Sequence, residues 1–333
     1  MSIRMYDFFE NMYLKCRKPY KALIELTQVC NLNCAHCYIK KNDKYISLDD
    51  VYYILDNLEQ KGFIWIIFTG GEIFTHPNFI DIYIYAKRKG FIIDLKTNAL
   101  LLNNDIKNVL LKYPPRKLDI SIYGLSNKEY GEFTGDFKGF DKLVNSLNWL
   151  FNNNFVFQLT VMAIENNYNE IYNGEYDRFF GLYNCQLEFE YDIIMYNENN
   201  LKIKLLSTEK IACIEMKSLR YKSYIKDSLA ERDNTNFICR GGRKNIFIDV
   251  NTNVHICIFD DYSITFSEFL SSTALINRTY MVESEYRKSK CSKCNERLGC
   301  VRCPLRRKIT QRDNSSSWRC DLAKIRYKFV KEC

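Results

Sequence analysis

The sequence opens MSIRMYDFFENMYLKCRKPYKALIEL, with no apolar run of signal-peptide type, and none of its 333 residues fall in a stretch approaching the roughly 18 apolar residues needed to cross a bilayer. A cytoplasmic protein without a membrane partner is expected. With 5 prolines and 13 glycines, the chain also lacks internal repeats and long low-complexity tracts, which excludes solenoids and linker-dominated architectures. The net charge of +8 is spread along the chain, and no basic stripe is interleaved with aromatics, so nucleic acid is not an expected partner. An acidic peptide or a phosphate-bearing cofactor suits that charge. What is present, 47% hydrophobic and 15% aromatic residues, is ample for a packed core.

Cysteine is the residue in excess. Fourteen thiols in a chain without a secretory signal argue against a disulfide framework and for metal ligation. The first group, Cys30-Asn-Leu-Asn-Cys34-Ala-His-Cys37, has no fourth cysteine until Cys185. Three thiolates on one short loop can hold three irons of a 4Fe-4S cluster and leave the fourth iron open to a ligand that is not protein. A zinc site, completed by His36, is the alternative for the same residues.

From Tyr20 to about Ile194, short β-rich runs alternate with helical patterns, the signature of an α/β protein with a parallel sheet. The strands are KALIELT, FIWIIFTG, FIIDLKTN, KLDISIYG, FVFQLTVMA and QLEFEYDII. Five helical patterns lie between them, with Ser47 and Asp50 as a helix cap and Gly62 and Gly90 as helix stops. Six such units predict an open, partial (β/α)6 barrel with its chemistry at the C-terminal ends of the strands. The expected organisation is an N-terminal extension over 1–19, the barrel over 20–200, a helical bridge over 201–236, and a Cys-rich domain with a tail over 237–333.

Cys-x3-Cys-x2-Cys directly after a first strand resembles the radical S-adenosylmethionine (SAM) superfamily. The resemblance implies that Cys30, Cys34 and Cys37 hold a 4Fe-4S cluster whose open iron is chelated by SAM. One electron then splits the sulfonium into methionine and a 5'-deoxyadenosyl radical, which abstracts a hydrogen atom from substrate. It further implies that His36 lies against the adenine and that Gly70, Gly71 and Glu72, at the end of the second strand, receive the methionine amino group. A glycine pair lets a ligand approach the backbone, and a carboxylate pairs with an ammonium. By the same match Asn98 lines the SAM site and Ser121 contacts the ribose or carboxylate. This sequence departs from the family at Ala99, usually glycine, and at Tyr123, usually acidic. The arginine expected before a Gly-rich turn is missing from Glu129–Gly135, which leaves the SAM carboxylate without an assigned partner. Asn167 to Ile171 matches a family segment and is read first as a helix-capping feature.

Cys291, Cys294, Cys300 and Cys303, followed by Cys320 and preceded by Cys239 and Cys257, lie in a basic segment that suits anionic clusters. The arrangement resembles the SPASM extension of radical SAM enzymes, with Thr252 where a glycine is usual. It implies two auxiliary 4Fe-4S clusters, an outer one on Cys291, Cys294, Cys300 and Cys320, and an inner one on Cys239, Cys257 and Cys303. Asn245 stands where some relatives have a further cysteine, which would leave the inner cluster an open iron. Two zinc sites are the alternative here. Cys16, Cys185, Cys213 and Cys333 lie outside both sets; Cys185, within the barrel segment, is a candidate hydrogen-atom donor to a substrate radical.

The resemblance implies an enzyme that modifies a ribosomally made peptide by a thioether or carbon-carbon crosslink or by epimerisation. An anaerobic sulfatase maturase and a small-alcohol dehydrogenase are alternatives within the superfamily, and a zinc-stabilised binding protein is the alternative outside it. The expected partners are a peptide or protein substrate and a reducing protein such as flavodoxin or ferredoxin. Only about twenty residues precede the barrel, so a leader peptide would need a separate leader-binding protein or another surface.

Overall fold

The computed structural model describes residues 18–39, 41–191, 193, 203–217, 239, 241–296, 300, 305 and 317–332. Cys16, Cys303 and Cys333 fall outside them, as do most of the N-terminal extension and half or more of the bridge.

Six strands run parallel in one sheet: β1 (Lys21–Thr27), β2 (Trp65–Gly70), β3 (Ile92–Thr97), β4 (Lys117–Ile122), β5 (Phe157–Met162) and β6 (Gln186–Glu190). Their registers run in sequence, from Lys21 opposite Trp65 to Met162 opposite Glu190. The expected (β/α)6 arrangement is thus present. One face of the strands is apolar and fully buried, with Ala22, Ile24, Leu26, Ile66, Phe68, Ile93, Leu95, Leu118 and Ile120, while the alternate positions that face the other way include Lys21, Glu25, Asp94, Asp119 and Ser121.

The covering helices are α1 (Leu48–Gln60), α2 (Phe79–Arg88), α3 (Asn104–Lys112), α4 (Asn127–Thr134), α5 (Gly139–Asn152), α6 (Tyr168–Tyr172) and α7 (Glu175–Phe180). In α1, Val51, Ile54, Leu55 and Leu58 form the buried stripe, and the Ser47 hydroxyl accepts from Asp50 N at 3.1 Å, the cap read from sequence. Gly62 and Gly90 leave α1 and α2 at φ of 83° and 84°, in the left-handed region that favours glycine. The last helical pattern is broken in two, because Gly174 at φ 74° separates α6 from α7.

Among the described residues, the strands after the barrel join its sheet. Strand β7 (Asn245–Ile248) pairs in parallel with the free edge of β1, Lys21 opposite Asn245 and Ile24 opposite Ile248. β8 (Asn253–His255) and β9 (Ile264–Thr265) add antiparallel neighbours, giving the order β6-β5-β4-β3-β2-β1-β7-β8-β9. Glu25, buried in β1, fixes the seam by accepting Val250 N at 3.0 Å. α8 (Thr208–Lys217), α9 (Phe266–Ser271), α10 (Ala274–Lys288) and α11 (Ser317–Glu332) complete the described elements. No helix among the described residues is long and apolar enough to cross a membrane.

Candidate active site

Cys30, Cys34 and Cys37 sit on the loop that leaves the C-terminal end of β1, where the β1–β2 register shifts between Glu25 and Thr27 and turns the chain outward. All three thiols are half-buried. The loop is held by its neighbours rather than by secondary structure. Asn33 N and Ala35 N donate to the carbonyls of Thr134 and Phe133 at 2.8 and 3.0 Å, and Cys37 N donates to Cys34 O at 3.1 Å. The Lys41 ammonium bonds the Leu32 carbonyl and, at 3.3 Å, Asn33 Oδ1.

Gly70 and Gly71 are required by this same loop. A Cβ on Gly70 would lie 2.4 Å from Thr27 O, and one on Gly71 would lie 2.2 Å from Val29 O. Gly71 N and Glu72 N donate to those two carbonyls at 2.7 and 2.9 Å. The glycine pair therefore admits the root of the cysteine loop, where the sequence had indicated an approach for ligand. Glu72 is fully buried, and its carboxylate is occupied by protein: Oε1 accepts from Thr97 Oγ1 at 2.7 Å and Phe74 N at 3.2 Å, and Oε2 from Asn98 N at 2.7 Å. Burial pushes its pKa up to about 7, against the pull of these hydrogen bonds.

Asn98 reaches the same loop from the end of β3. Its Nδ2 donates to Asn31 Oδ1 at 2.8 Å and lies 4.0 Å from Cys30 Sγ. Ala99, at φ 61°, keeps the left-handed backbone for which glycine is the usual choice. The His36 ring packs against both Tyr123 and Phe133, with centroids 5.5 and 5.2 Å away, and its Nδ1 is buried without a hydrogen-bond partner. Burial lowers its pKa to about 4, so the ring is neutral. Burial likewise raises the Cys30 and Cys37 thiols, and takes Cys34 up to about 12. Ser121 lies at the end of β4, two residues before Tyr123, and burial raises the Tyr123 phenol well above its usual value. Phe133, Met162, Ile164, Ile193 and Ile203 form an apolar wall against Cys34, Ala35 and Tyr123.

The structure thus brings Cys30, Cys34, Cys37, His36, Gly70, Gly71, Glu72, Asn98 and Ser121 to one end of the sheet. Sequence reasoning missed Lys41, Asn31 and Phe133 as anchors of the loop. Cys185 is not at this end. It directly precedes β6, and since all six strands are parallel it lies at the opposite face of the barrel from Cys30, which removes it as a hydrogen-atom donor. Asn167 has the capping function expected, with Oδ1 accepting Ile164 N and Nδ2 donating to Met162 O, both at 2.9 Å.

In the C-terminal region, Cys257 follows β8, and the segment after Cys239 runs beside it. Gly242 N donates to Ile256 O at 3.1 Å, and a Cβ on Gly241 would stand 3.4 Å from Cys257 Cβ. Arg243 pairs with Glu283 of α10, which also holds Arg287 at 2.6 Å. Cys291 and Cys294 share one turn, with Cys294 N donating to Cys291 O at 3.4 Å, while Cys294 Sγ donates to Glu296 Oε2 at 3.0 Å. Cys320 lies on α11, which is pinned to α8 by the buried pair Arg326 and Glu215. Among the described residues no group of three His, Cys, Asp or Glu side chains is gathered as a single-ion metal site.

Residues 24–173 match the model of the radical SAM superfamily. The chain carries a radical SAM domain. Among its relatives is the antilisterial bacteriocin subtilosin biosynthesis protein AlbA of Bacillus subtilis, 28% identical over 159 residues, 46% of this chain and 36% of AlbA. Another is the AdoMet-dependent heme synthase of Methanosarcina barkeri, 28% identical over 151 residues, 44% of this chain and 43% of the synthase. The matches to these two thus span less than half the length of either. Likeness of fold to solved structures extends beyond the family match. Streptococcus suis SuiB bound to S-adenosylmethionine superposes with a TM-score of 0.66 at 17% identity, over 90% of this chain and 78% of SuiB. The protein anSMEcpe with bound AdoMet and the Cp18Cys peptide superposes with a TM-score of 0.72 at 15% identity, over 94% of this chain and 97% of that one.

Proposed function

We propose that this chain is a radical SAM peptide maturase with one SAM-cleaving 4Fe-4S cluster on Cys30, Cys34 and Cys37. The observation that carries the reading is the placement of three half-buried thiols on one anchored loop that holds no fourth cysteine. The partnerless Nδ1 of His36, buried at the edge of this loop, fits a cofactor that brings its own polar edge. When bound, the cluster and SAM supply the 5'-deoxyadenosyl radical at the cost of one electron from a reducing protein such as flavodoxin or ferredoxin.

The chain's own residues hold, orient and shield. Asn98 and Ser121 line the strand ends beside the thiols and are the proposed SAM contacts. Glu72 acts at one remove, because its carboxylate fixes Thr97 and Asn98. The wall of Phe133, Met162 and Ile164 excludes water from the neighbourhood of Cys34, as radical chemistry requires. A peptide substrate is supported by the subtilosin-biosynthesis relative and by the fold shared with SuiB, also solved with its precursor peptide SuiA. SPASM-type auxiliary clusters on Cys291, Cys294, Cys300 and Cys320, and on Cys239, Cys257 and Cys303, complete the proposal, in a domain over 237–333 following a bridge over 201–236. A cytoplasmic location suits oxygen-sensitive clusters.

Anaerobic reconstitution tests this. About twelve irons per chain and reductive release of 5'-deoxyadenosine from SAM are expected for three clusters, with SAM cleavage abolished when Cys30, Cys34 and Cys37 are all replaced by alanine. Bound zinc without SAM cleavage would overturn the reading. A mass change in a candidate precursor peptide identifies the substrate class.

A further inference from the structure

We infer that Lys96 receives the carboxylate of SAM: its ammonium stands on the inner face of the sheet, one rung below Asn98 and Ser121, and takes the place of the arginine missing from Glu129–Gly135. The inference rests on the reading of Asn98 and Ser121 as SAM contacts and names the anion partner which that reading leaves open.

Lys96 is the last residue but one of β3. Leu95 and Thr97 on either side of it are buried, and Lys96 faces the other way. In register with it on β4 is Asp119, whose Oδ2 the ammonium meets at 2.5 Å and whose Oδ1 accepts Thr160 Oγ1, from β5, at 3.0 Å. Asn98 follows Lys96 by two residues and Ser121 follows Asp119 by two, a rise of about 6–7 Å toward the strand ends. The pair therefore forms a polar floor beneath the two SAM contacts.

Two observations point the ammonium at a ligand. The Lys96 side chain is 45% exposed although its neighbours along the strand are buried, so the space over it is open. A lysine ammonium has three donors, and among the described residues only Asp119 takes one. The other nearby cations are placed or used elsewhere. Lys21 and Lys117 open their strands, at the end remote from the cysteine loop, and Arg116, just before β4, holds Asp94 with Nε at 2.7 Å. Lys41, on the cysteine loop itself, is taken up by Leu32 and Asn33. Asp119 has a second effect. It offsets the charge of Lys96, so the ammonium can meet a carboxylate without repelling the sulfonium and amino group that SAM also carries.

Equilibrium dialysis of SAM against the reconstituted full chain tests this, with no reductant present so that SAM stays intact. Lys96→Met should weaken SAM binding by about 10- to 100-fold, the range of a hydrogen bond between charged groups, with iron content unchanged. Lys96→Arg should keep most of the affinity. Decarboxylated SAM, which lacks only the carboxylate, should bind the wild type and Lys96→Met equally. If Lys96→Met takes up no iron, the double variant with Asp119→Asn, which leaves no unpaired carboxylate on the floor, should take up iron and show the same selective loss; no iron in that variant either assigns Lys96 to the fold and overturns the inference. Unchanged SAM affinity in Lys96→Met also overturns it, as expected if the ammonium served a carboxylate of a peptide substrate instead. So does an equal loss for SAM and its decarboxylated form. These results leave the proposed function standing, whereas a reconstituted wild type that binds no SAM overturns both.

Discussion

The main-chain N–H of Asn98 donates to Glu72 Oε2 at 2.7 Å, so a fully buried carboxyl at the end of β2 fixes the residue that reaches the cysteine loop from the end of β3. Burial raises its pKa from 4.5 to about 7. The folded state therefore keeps a proton that the unfolded chain has already lost, and stability falls as pH rises through that window. In the iron-free protein, the wild type should lose roughly 3 kcal/mol more than Glu72→Gln across the window. Denaturant midpoints of the two proteins at a series of pH values check this; parallel curves would refute it.

The close approach at Gly71 gives a second test. A methyl there would meet Val29 O at 2.2 Å, one residue before Cys30, whereas a methyl on Gly62 meets nothing within 4 Å. Gly71→Ala should lose the iron of the first cluster and SAM cleavage together. Gly62→Ala should keep both, with a stability loss of about 1 kcal/mol from its positive φ. Iron content and 5'-deoxyadenosine yield report both outcomes.

Thr252 turns between β7 and β8 at φ 63°, a conformation costly for a β-branched residue. Thr252→Gly should relieve that strain at some cost in unfolded-chain entropy, for a net gain of up to about 1 kcal/mol. Thermal denaturation should show a higher midpoint with unchanged iron content.

Arg326 and Glu215 are both about 5% exposed, and Arg326 Nε reaches Glu215 Oε2 at 3.0 Å. Arg326→Met leaves a buried carboxylate unpaired and should cost about 3–5 kcal/mol. Adding Glu215→Gln should restore much of the loss. Because α11 carries Cys320, the single variant should also bind less iron, measured against the double.

The barrel was legible because its signals are local. β1 ends where read, at Thr27, since an apolar run meets polar residues there, and α1 starts at a serine whose cap is written in the next three residues. Helix α4 was not read as one, because Gly131 and Gly135 look like loop; yet Ser126 accepts Glu129 N at 3.2 Å, a cap visible in the sequence. The residues read for the first site share one end of the sheet, but the partners of two were not legible. The bond from Thr97 to Glu72 depends on the register of β2 on β3, and the stacking of Tyr123 on Phe133 depends on how α4 holds Phe133 against the loop. Spacing along the chain carries neither relation. The joining of β7 to β1 was missed for the same reason, since four residues of an apolar strand do not state which edge they will meet.

That joining sets an order of events during synthesis. β1 is made near the beginning, and one of its two neighbours, Asn245 to Ile248, emerges only after the whole barrel has been translated. Until then the nascent sheet exposes an unpaired apolar edge immediately before Cys30, open to mispairing with other chains. Closing that edge is a long-range contact and correspondingly slow. Iron delivered to the first cysteine loop before Asn245 to Ile248 have emerged meets a sheet still one strand short, so a late segment of the polypeptide times the maturation of an earlier one.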